Sequence, residues 1–220
     1  MAINENYKNL GGLVQEVIQF GFGTGPQVNR NRIEAWLNEA QFQIAREVDA
    51  PEFMKSETLQ LTQGVFEYPL PASFLRMLDI FYPEMLVTLN PMDIKKFDTL
   101  GRGQYEGAPS AYTLFANTLW LWPNPINSTD TLELRYIEDP PQLVNEADVP
   151  VLNGNYWHLL IEYAVARAFE AEDDLESAQA HKTEYTKNLA AYATDVQWRI
   201  DDRPRIVDGT WPGASYGLVR

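Results

Sequence analysis

The two histidines of the chain are the side chains best suited to hold a metal ion. His158 lies four residues before Glu162, and His181 lies three residues before Glu184. Residues at these spacings share one face of a helix, and two antiparallel helices could bring both pairs together as a metal site. Helical bundles that hold a pair of metal ions use the reverse order, Glu-x-x-His. Hydrogen bonding at the surface or between helices therefore accounts better for these residues, and we predict no metal and no cofactor.

Other patterns with catalytic potential are incomplete. Ser110, Ser128 and Ser215 are not part of a Gly-x-Ser-x-Gly motif. Residues 21–25 are rich in glycine but lack the lysine of a phosphate-binding loop. The acidic run at 170–176 lacks the central glycine of a calcium loop, and its carboxylates suit the N-terminus of a following helix. We therefore predict that the chain is not an enzyme.

The tryptophans at 120 and 122 form a different kind of candidate site. Trp120 and Trp122 are two residues apart in a predicted strand, so both side chains point to the same face. One interpretation is packing in a core, and another is a contact between subunits. A third is a platform on which a sugar stacks, which would make the chain a carbohydrate-binding module.

The composition is that of an acidic globular chain. Its 220 residues carry a net charge of −14, 45% of them are hydrophobic, and none is cysteine. One substantial core can form, and disulfides and thiolate metal sites are excluded. The densest basic spots, Lys95 with Lys96 and Arg30 with Arg32, are too small to neutralise a run of phosphates. We see no secretory signal or membrane-spanning run, and we expect a soluble intracellular product with no membrane contact.

Helical spacing of apolar residues marks four segments of the chain. These segments are 7–20, 33–48, 155–171 and 175–199. Asn29 or Asn31 can cap the second of them, and Asn90 with Pro91 is predicted to begin a further short helix.

In the middle of the chain, apolar residues recur at every second position, which is typical of β-strands. This spacing predicts a hairpin over 58–69 that turns at Gln63 and Gly64, and a second hairpin over 107–125. A strand follows at 131–137, with Leu132, Leu134 and Tyr136 on one face. After residue 200, two prolines and three glycines without any period indicate an extended tail.

This order of elements predicts an α+β protein. Helices early and late in the sequence must meet to bury their apolar faces. We therefore expect a four-helix bundle of residues 1–52 and 150–200, an inserted β-rich domain of residues 53–149, and an extended C-terminal arm of residues 201–220. The insertion should be a separate packing unit. Its expected core residues are Leu59, Leu61, Phe66, Tyr68, Leu132, Leu134 and Tyr136.

With these elements in this order, the chain resembles the head-to-tail adaptor (connector) proteins of tailed bacteriophages. Six motifs carry the resemblance, and their order and spacing matter more than any one of them. They are LNEAQFQIAREVD (37–49), YPLPASFLR (68–76), PSAYTL (109–114), LWLWP (119–123), RYIEDPP (135–141) and EYAVARAFE (162–170). Together they span most of residues 30–190.

The resemblance implies a structural virion protein. Such proteins form a homo-oligomeric ring of about twelve subunits beneath the portal protein of the capsid. The ring joins the capsid to a tail or nozzle protein and surrounds the channel through which DNA passes without specific binding. The implied location is the neck of the virion, after assembly in the host cytoplasm. Two alternatives stay open: a carbohydrate-binding, tail-associated module that uses exposed aromatics, and a metal-dependent helical enzyme that uses His158 and His181.

The C-terminal arm is predicted to dock on the portal or on a neighbouring subunit. Related adaptors grip the portal with a C-terminal extension, although the last twenty residues here match none of the motifs above. Isolated apolar side chains on a segment without its own core suit pockets on a partner. The predicted docking residues are Arg203, Arg205, Trp211, Tyr216 and Leu218. A merely disordered terminus is the alternative.

Overall fold

The computed structural model describes residues 9–22, 27–101 and 103–201. These ranges contain five α-helices: α1 Leu10–Gln19, α2 Arg30–Glu47, α3 Ile94–Thr99, α4 Trp157–Ala171 and α5 Leu175–Asp201. Short 3-10 turns at Pro51–Phe53 and Gly154–Tyr156 precede β1 and α4. No helix within the described ranges is long and apolar enough to cross a membrane.

The described residues also form ten short strands. They are β1 Met54–Gln60, β2 Glu67–Pro69, β3 Phe74–Tyr82, β4 Val87–Thr88, β5 Asn90–Pro91, β6 Glu106–Gly107, β7 Ala111–Phe115, β8 Thr118–Trp122, β9 Asn124–Pro125 and β10 Thr131–Glu138. The first sheet has the order β1-β10-β3-β4, and the second has the order β2-β8-β7-β5. A small parallel pair, β6 with β9, completes the strands.

Asparagine side chains fix the start of the first two helices. The Asn9 side chain accepts a hydrogen bond from the Gly12 amide at 3.0 Å, and the Asn29 side chain accepts one from the Arg32 amide at 3.1 Å. Each bond engages an amide of the first helical turn, where the carbonyl four residues earlier is not part of the helix. Of the two caps that the sequence permits for α2, the structure therefore selects Asn29.

The prediction of a four-helix bundle with an inserted domain is wrong, although the α+β class is correct. Helices α1, α2, α4 and α5 enclose an apolar core, but Ile137 of β10 is fully buried in the same core. Leu75 and Leu78 of β3 also pack against it. The first sheet is therefore one wall of the helical core, and a fifth helix, α3, lies among the strands. The division into residues 1–52 with 150–200, 53–149 and 201–220 stays a prediction.

Two β-bulges in β3 explain why the sheet and the helices share a core. The register with β10 skips Leu75 and Leu78, so neither has a partner residue across the strand pair. A bulge re-aims the side chains that follow it. As a result Met77 and Ile80 face the second sheet, while the two skipped leucines face the helices. A strand without bulges would present every second residue to each side.

A second core fills the space between the two sheets. Leu132, Leu134 and Tyr136 point into it together, as predicted for one face of β10. The remaining predicted members are Leu61 and Tyr68, which are buried there, and Leu59, which packs against it. Phe66 is the exception, because its ring lies on the other face of the second sheet, 5.8 Å from the ring of Trp120.

Two local predictions about the strands are also wrong. Strands β1 and β2 do not form a hairpin, because β1 pairs with β10 and β2 pairs with β8 in the other sheet. Asn90 does not cap a helix, since it begins β5, and its amide donates to the Ser110 carbonyl at 3.0 Å. Helix α3 begins at Ile94, where Asp93 accepts a hydrogen bond from the Lys95 amide at 2.8 Å.

The second predicted hairpin is confirmed. Strands β7 and β8 pair antiparallel, with Ala111 opposite Trp122 and Phe115 opposite Thr118. The turn residue Asn117 has a positive φ of 65°. That conformation is characteristic of a tight two-residue hairpin turn.

Candidate functional site

His158 and Glu162, the first of the two pairs considered as metal ligands, contact the turn before α4 and helix α5. His158 Nδ1 lies 3.2 Å from the carbonyl oxygen of Asn155. Glu162 accepts a hydrogen bond from Asn188 on α5 at 3.0 Å. Hydrogen bonding at the surface or between helices, the interpretation that the sequence favours, describes this pair, with His158 making the surface contact and Glu162 the contact between helices.

His181 and Glu184, the second pair considered as metal ligands, lie in a different environment. The His181 ring stacks on Phe169, with centroids 5.3 Å apart and an interplanar angle of 14°. Glu184 forms an ion pair with Lys187 at 3.1 Å. Across the part of the chain that the structure describes, no three His, Cys, Asp or Glu side chains are grouped to hold a metal.

The acidic run between α4 and α5 has a structural role. Hydrogen bonds from the Ser177 hydroxyl, and then from the Ser177 amide at 3.1 Å, lower the pKa of the Asp174 carboxyl group. Hydrogen bonds from Lys182, and then from Arg167, lower the pKa of Glu170. These carboxylates therefore cap one helix and tie it to the other, as the sequence predicts for acids at a helix N-terminus.

The two tryptophans do not form an exposed platform. Trp120 is only 5% exposed, and its ring lies 5.6 Å from that of Phe97 on α3 and 5.1 Å from that of Phe115. Trp122 is half-buried. Stacking of a sugar needs open ring faces, so core packing is the role that the structure supports for Trp120. The predicted docking residues Arg203, Arg205, Trp211, Tyr216 and Leu218 lie outside the described residues.

The structure draws attention to a surface that the sequence reasoning missed. Strands β1 and β3 end where β10 begins, so three loops meet at one end of the first sheet. These loops are residues 60–67, 82–88 and 124–131, and we name this surface the distal end. Its exposed apolar side chains are Val65, Met85, Leu86, Val87 and Ile126. The sequence signal was the run Met85-Leu86-Val87 after a proline, at a turn where polar residues are usual.

Hydrogen bonds hold the three loops of the distal end together. The Gly64 amide donates to the Pro125 carbonyl at 2.8 Å. The Thr131 amide and hydroxyl donate to Glu84 Oε1 at 3.0 and 3.1 Å. The Tyr82 hydroxyl donates to Asp130 Oδ2 at 2.5 Å. The apolar side chains are therefore displayed on a fixed frame.

The Tyr82–Asp130 hydrogen bond should make the stability of the fold depend on pH. This bond, more than those from Asn127 and Thr129, lowers the pKa of Asp130. A carboxyl group with a lowered folded-state pKa stabilises the fold fully above its ordinary pKa, about 3.9 for Asp, and loses that contribution as pH falls through the folded-state value. Asp130→Asn should therefore lower the melting temperature at pH 7, and the difference from the wild type should shrink at acid pH.

Melting temperatures measured by circular dichroism from neutral to acid pH would test this dependence. Asp173→Asn is the matched control, because Asp173 is exposed and makes no side-chain hydrogen bond within the described residues. That control removes a carboxylate without removing a hydrogen bond, so it shows the effect of the charge change alone. Parallel curves for Asp130→Asn and the wild type would contradict the assignment.

A comparison with known families identifies the kind of protein to which these features belong. A family model described as the SU10 adaptor protein matches residues 8–208. No curated protein matches the chain. Because the match covers nearly the whole sequence, the chain belongs to the SU10 adaptor protein family, a family of phage structural proteins.

Proposed function

We propose that this member of the SU10 adaptor protein family forms a ring of about twelve copies in the neck of the virion. The ring joins the portal protein to a tail or nozzle protein, surrounds the DNA channel and catalyses no reaction. The observation that carries the proposal is the family match over residues 8–208. The distal end supports it, because exposed apolar side chains on a fixed frame are typical of a surface that binds another protein.

The charge of the chain suits a channel through which DNA must slide. Lysine and arginine around a pore would bind phosphates and release counterions, whereas carboxylates would not. With a net charge of −14, we expect the surface of the ring that faces DNA to be net acidic. A cryo-EM reconstruction of the virion neck would test this, and a lumen dominated by lysine and arginine would contradict it.

The C-terminal arm, residues 201–220, is the part that we propose to bind the portal. Its apolar residues Trp211, Tyr216 and Leu218 would fill pockets on the partner, and Arg203 and Arg205 would add charge contacts. A segment that orders on binding gives up part of its affinity but can cover a large surface. Repetition around a ring multiplies even weak contacts.

The ring can be tested with the purified full-length chain and the portal protein of the same phage. In the presence of the portal, we expect sedimentation to report a complex that is heavier than the portal alone by about twelve copies of the 25.1 kDa chain, roughly 300 kDa. Electron microscopy should show a ring stacked on the portal. A chain that stays monomeric with the portal present would contradict the proposal.

A further inference from the structure

We propose that the distal end of one subunit docks into an apolar cleft on a second copy of this chain. The inference rests on the proposed function, because it assigns the contact by which neighbouring subunits of the ring bind each other. The two surfaces differ, so the contact is heterologous, which is the type that closes into rings.

Leu86 is the centre of the inserting surface. It is 79% exposed and lies between the exposed Met85 and Val87. Its φ of 55° is a left-handed conformation that leucine adopts with strain. Glycine would take this conformation freely. A strained, exposed leucine is therefore costly for the isolated subunit, and such an outlier points to a role in binding.

The cleft lies between the open edges of the two sheets. Among the described residues, strand β4 pairs only with Phe81 and Tyr82 of β3, and β5 pairs only with Ala111 and Tyr112 of β7. No strand of these residues therefore covers the outer edge of the first half of β3 or of the last residues of β7. Between them is a cleft of about 320 Å³. A cavity of roughly 150 Å³ holds a benzene-sized group, so this cleft can take more than one side chain.

Apolar groups dominate the lining of the cleft. Phe74, Met77, Met92 and Leu114 contribute to its walls. Leu114 is itself an exposed apolar residue. Burying Leu86 against these side chains would remove apolar surface from water on both subunits, which is the main favourable contribution to most protein association.

The charges of the two surfaces are complementary. Segments 60–67, 82–88 and 124–131 carry Glu67, Glu84 and Asp130 but no lysine or arginine. The cleft includes Arg76 in its lining, but this side chain already forms an ion pair with Asp49. The cations next to the cleft are therefore Lys95 and Lys96 on α3, which follow Met92 after Asp93, the residue that caps the helix, and Ile94.

Both lysines are exposed, and neither forms an ion pair within residues 9–22, 27–101 and 103–201. They are therefore available to carboxylates of a neighbour. Two distal ends facing each other would instead bring carboxylates together. Nucleic acid and anionic membranes would also be repelled by a surface without cations.

The absence of cysteine makes disulfide cross-linking a clean test. Full-length Leu86→Cys and Leu114→Cys chains carrying tags of different size would be mixed with the portal protein and oxidised mildly. We expect a disulfide-linked dimer containing one chain of each kind, because the two cysteines lie on different subunits. Leu175→Cys, at a similarly exposed leucine, replaces Leu86→Cys in the control and should not cross-link to Leu114→Cys.

Two substitutions at Leu86 distinguish a loss of self-association from a loss of folding stability. Leu86→Asp and Leu86→Gly should each raise the Kd for self-association at least about tenfold. The Leu86→Gly subunit should nevertheless melt at or above the wild-type temperature, because glycine relieves the strained φ. Leu175→Asp is the matched control and should assemble like the wild type.

The outcomes test the proposed contact and the proposed ring separately. A ring that forms normally with Leu86→Asp and Leu86→Gly, without the mixed disulfide, would overturn the contact and leave the proposed function standing. A Leu86→Cys dimer with itself would show that distal ends meet each other and would also overturn it. A wild-type chain that is monomeric with the portal present would overturn both proposals.

Discussion

Leu134→Ala is expected to lower the free energy of unfolding by about 2–5 kcal/mol. Leu134 is 2% exposed and lies in β10, between its partner residues Glu57 on β1 and Ile80 on β3. Its side chain points into the core between the sheets. Truncation would remove buried methyl groups and leave a cavity that three adjoining strands cannot close without losing their register.

Denaturant unfolding of the full-length chain measures this effect. Val144→Ala is the control, because Val144 is 72% exposed, and its truncation should change the free energy by less than about 0.5 kcal/mol. The change in the free energy of unfolding for Leu134→Met should lie between those of Leu134→Ala and Val144→Ala, since methionine nearly conserves the volume of leucine. A cost below about 0.5 kcal/mol for Leu134→Ala would show that the core between the sheets does not depend on this side chain.

Those parts of the fold that depend on local spacing could be predicted from the sequence. The alternation along β10 places Leu132, Leu134 and Tyr136 in one core, because successive side chains of a strand point to opposite faces. The helical spacing of α2 likewise identifies Ile33 and Leu37, which are fully buried.

Strand pairing could not be predicted in the same way, because partners lie far apart in sequence. The turn residues Gln63 and Gly64 suggest a hairpin, but β1 pairs with β10, and strands β2 to β9 lie between the two in the sequence. The bulges at Leu75 and Leu78 break the two-residue spacing. Regular alternation of apolar and polar residues therefore does not show that β3 contributes side chains to two cores. For this reason the sequence did not predict that the first sheet packs against the helices.

At the candidate site, too, residue spacing could be seen in the sequence, whereas contacts between distant residues could not. The spacing of His158 and His181 suggests metal ligands, but spacing does not reveal that Phe169 lies against His181. The distal end depends on three loops brought together by Glu84, Asp130 and their hydrogen bonds. Its only local sequence signal is the exposed apolar run around Leu86.

Deleting residues 201–220 is expected to abolish binding to the portal and leave the melting temperature of the isolated subunit almost unchanged. The buried face of α5 runs through Leu189, Tyr192 and Val196, upstream of the deletion, and the helical period of the sequence stops after residue 200. The arm retains Trp211 and Tyr216 in a stretch that is rich in proline and glycine and has no period with which to build a core. Loss of the arm from every subunit of a ring removes all of these contacts at once, so avidity is lost with them.

Co-sedimentation with the portal protein, at several salt concentrations, measures the binding that this deletion removes. Replacing Trp211, Tyr216 and Leu218 together by alanine should abolish binding at any salt concentration, because apolar contacts provide most of the affinity of such anchors. Replacing Arg203 and Arg205 by alanine should instead weaken binding mainly at low salt, where charge contacts are least screened. The opposite result, a truncated subunit that melts at a lower temperature and still binds the portal, would mean that the arm packs on its own subunit and that the portal contact lies on the helices.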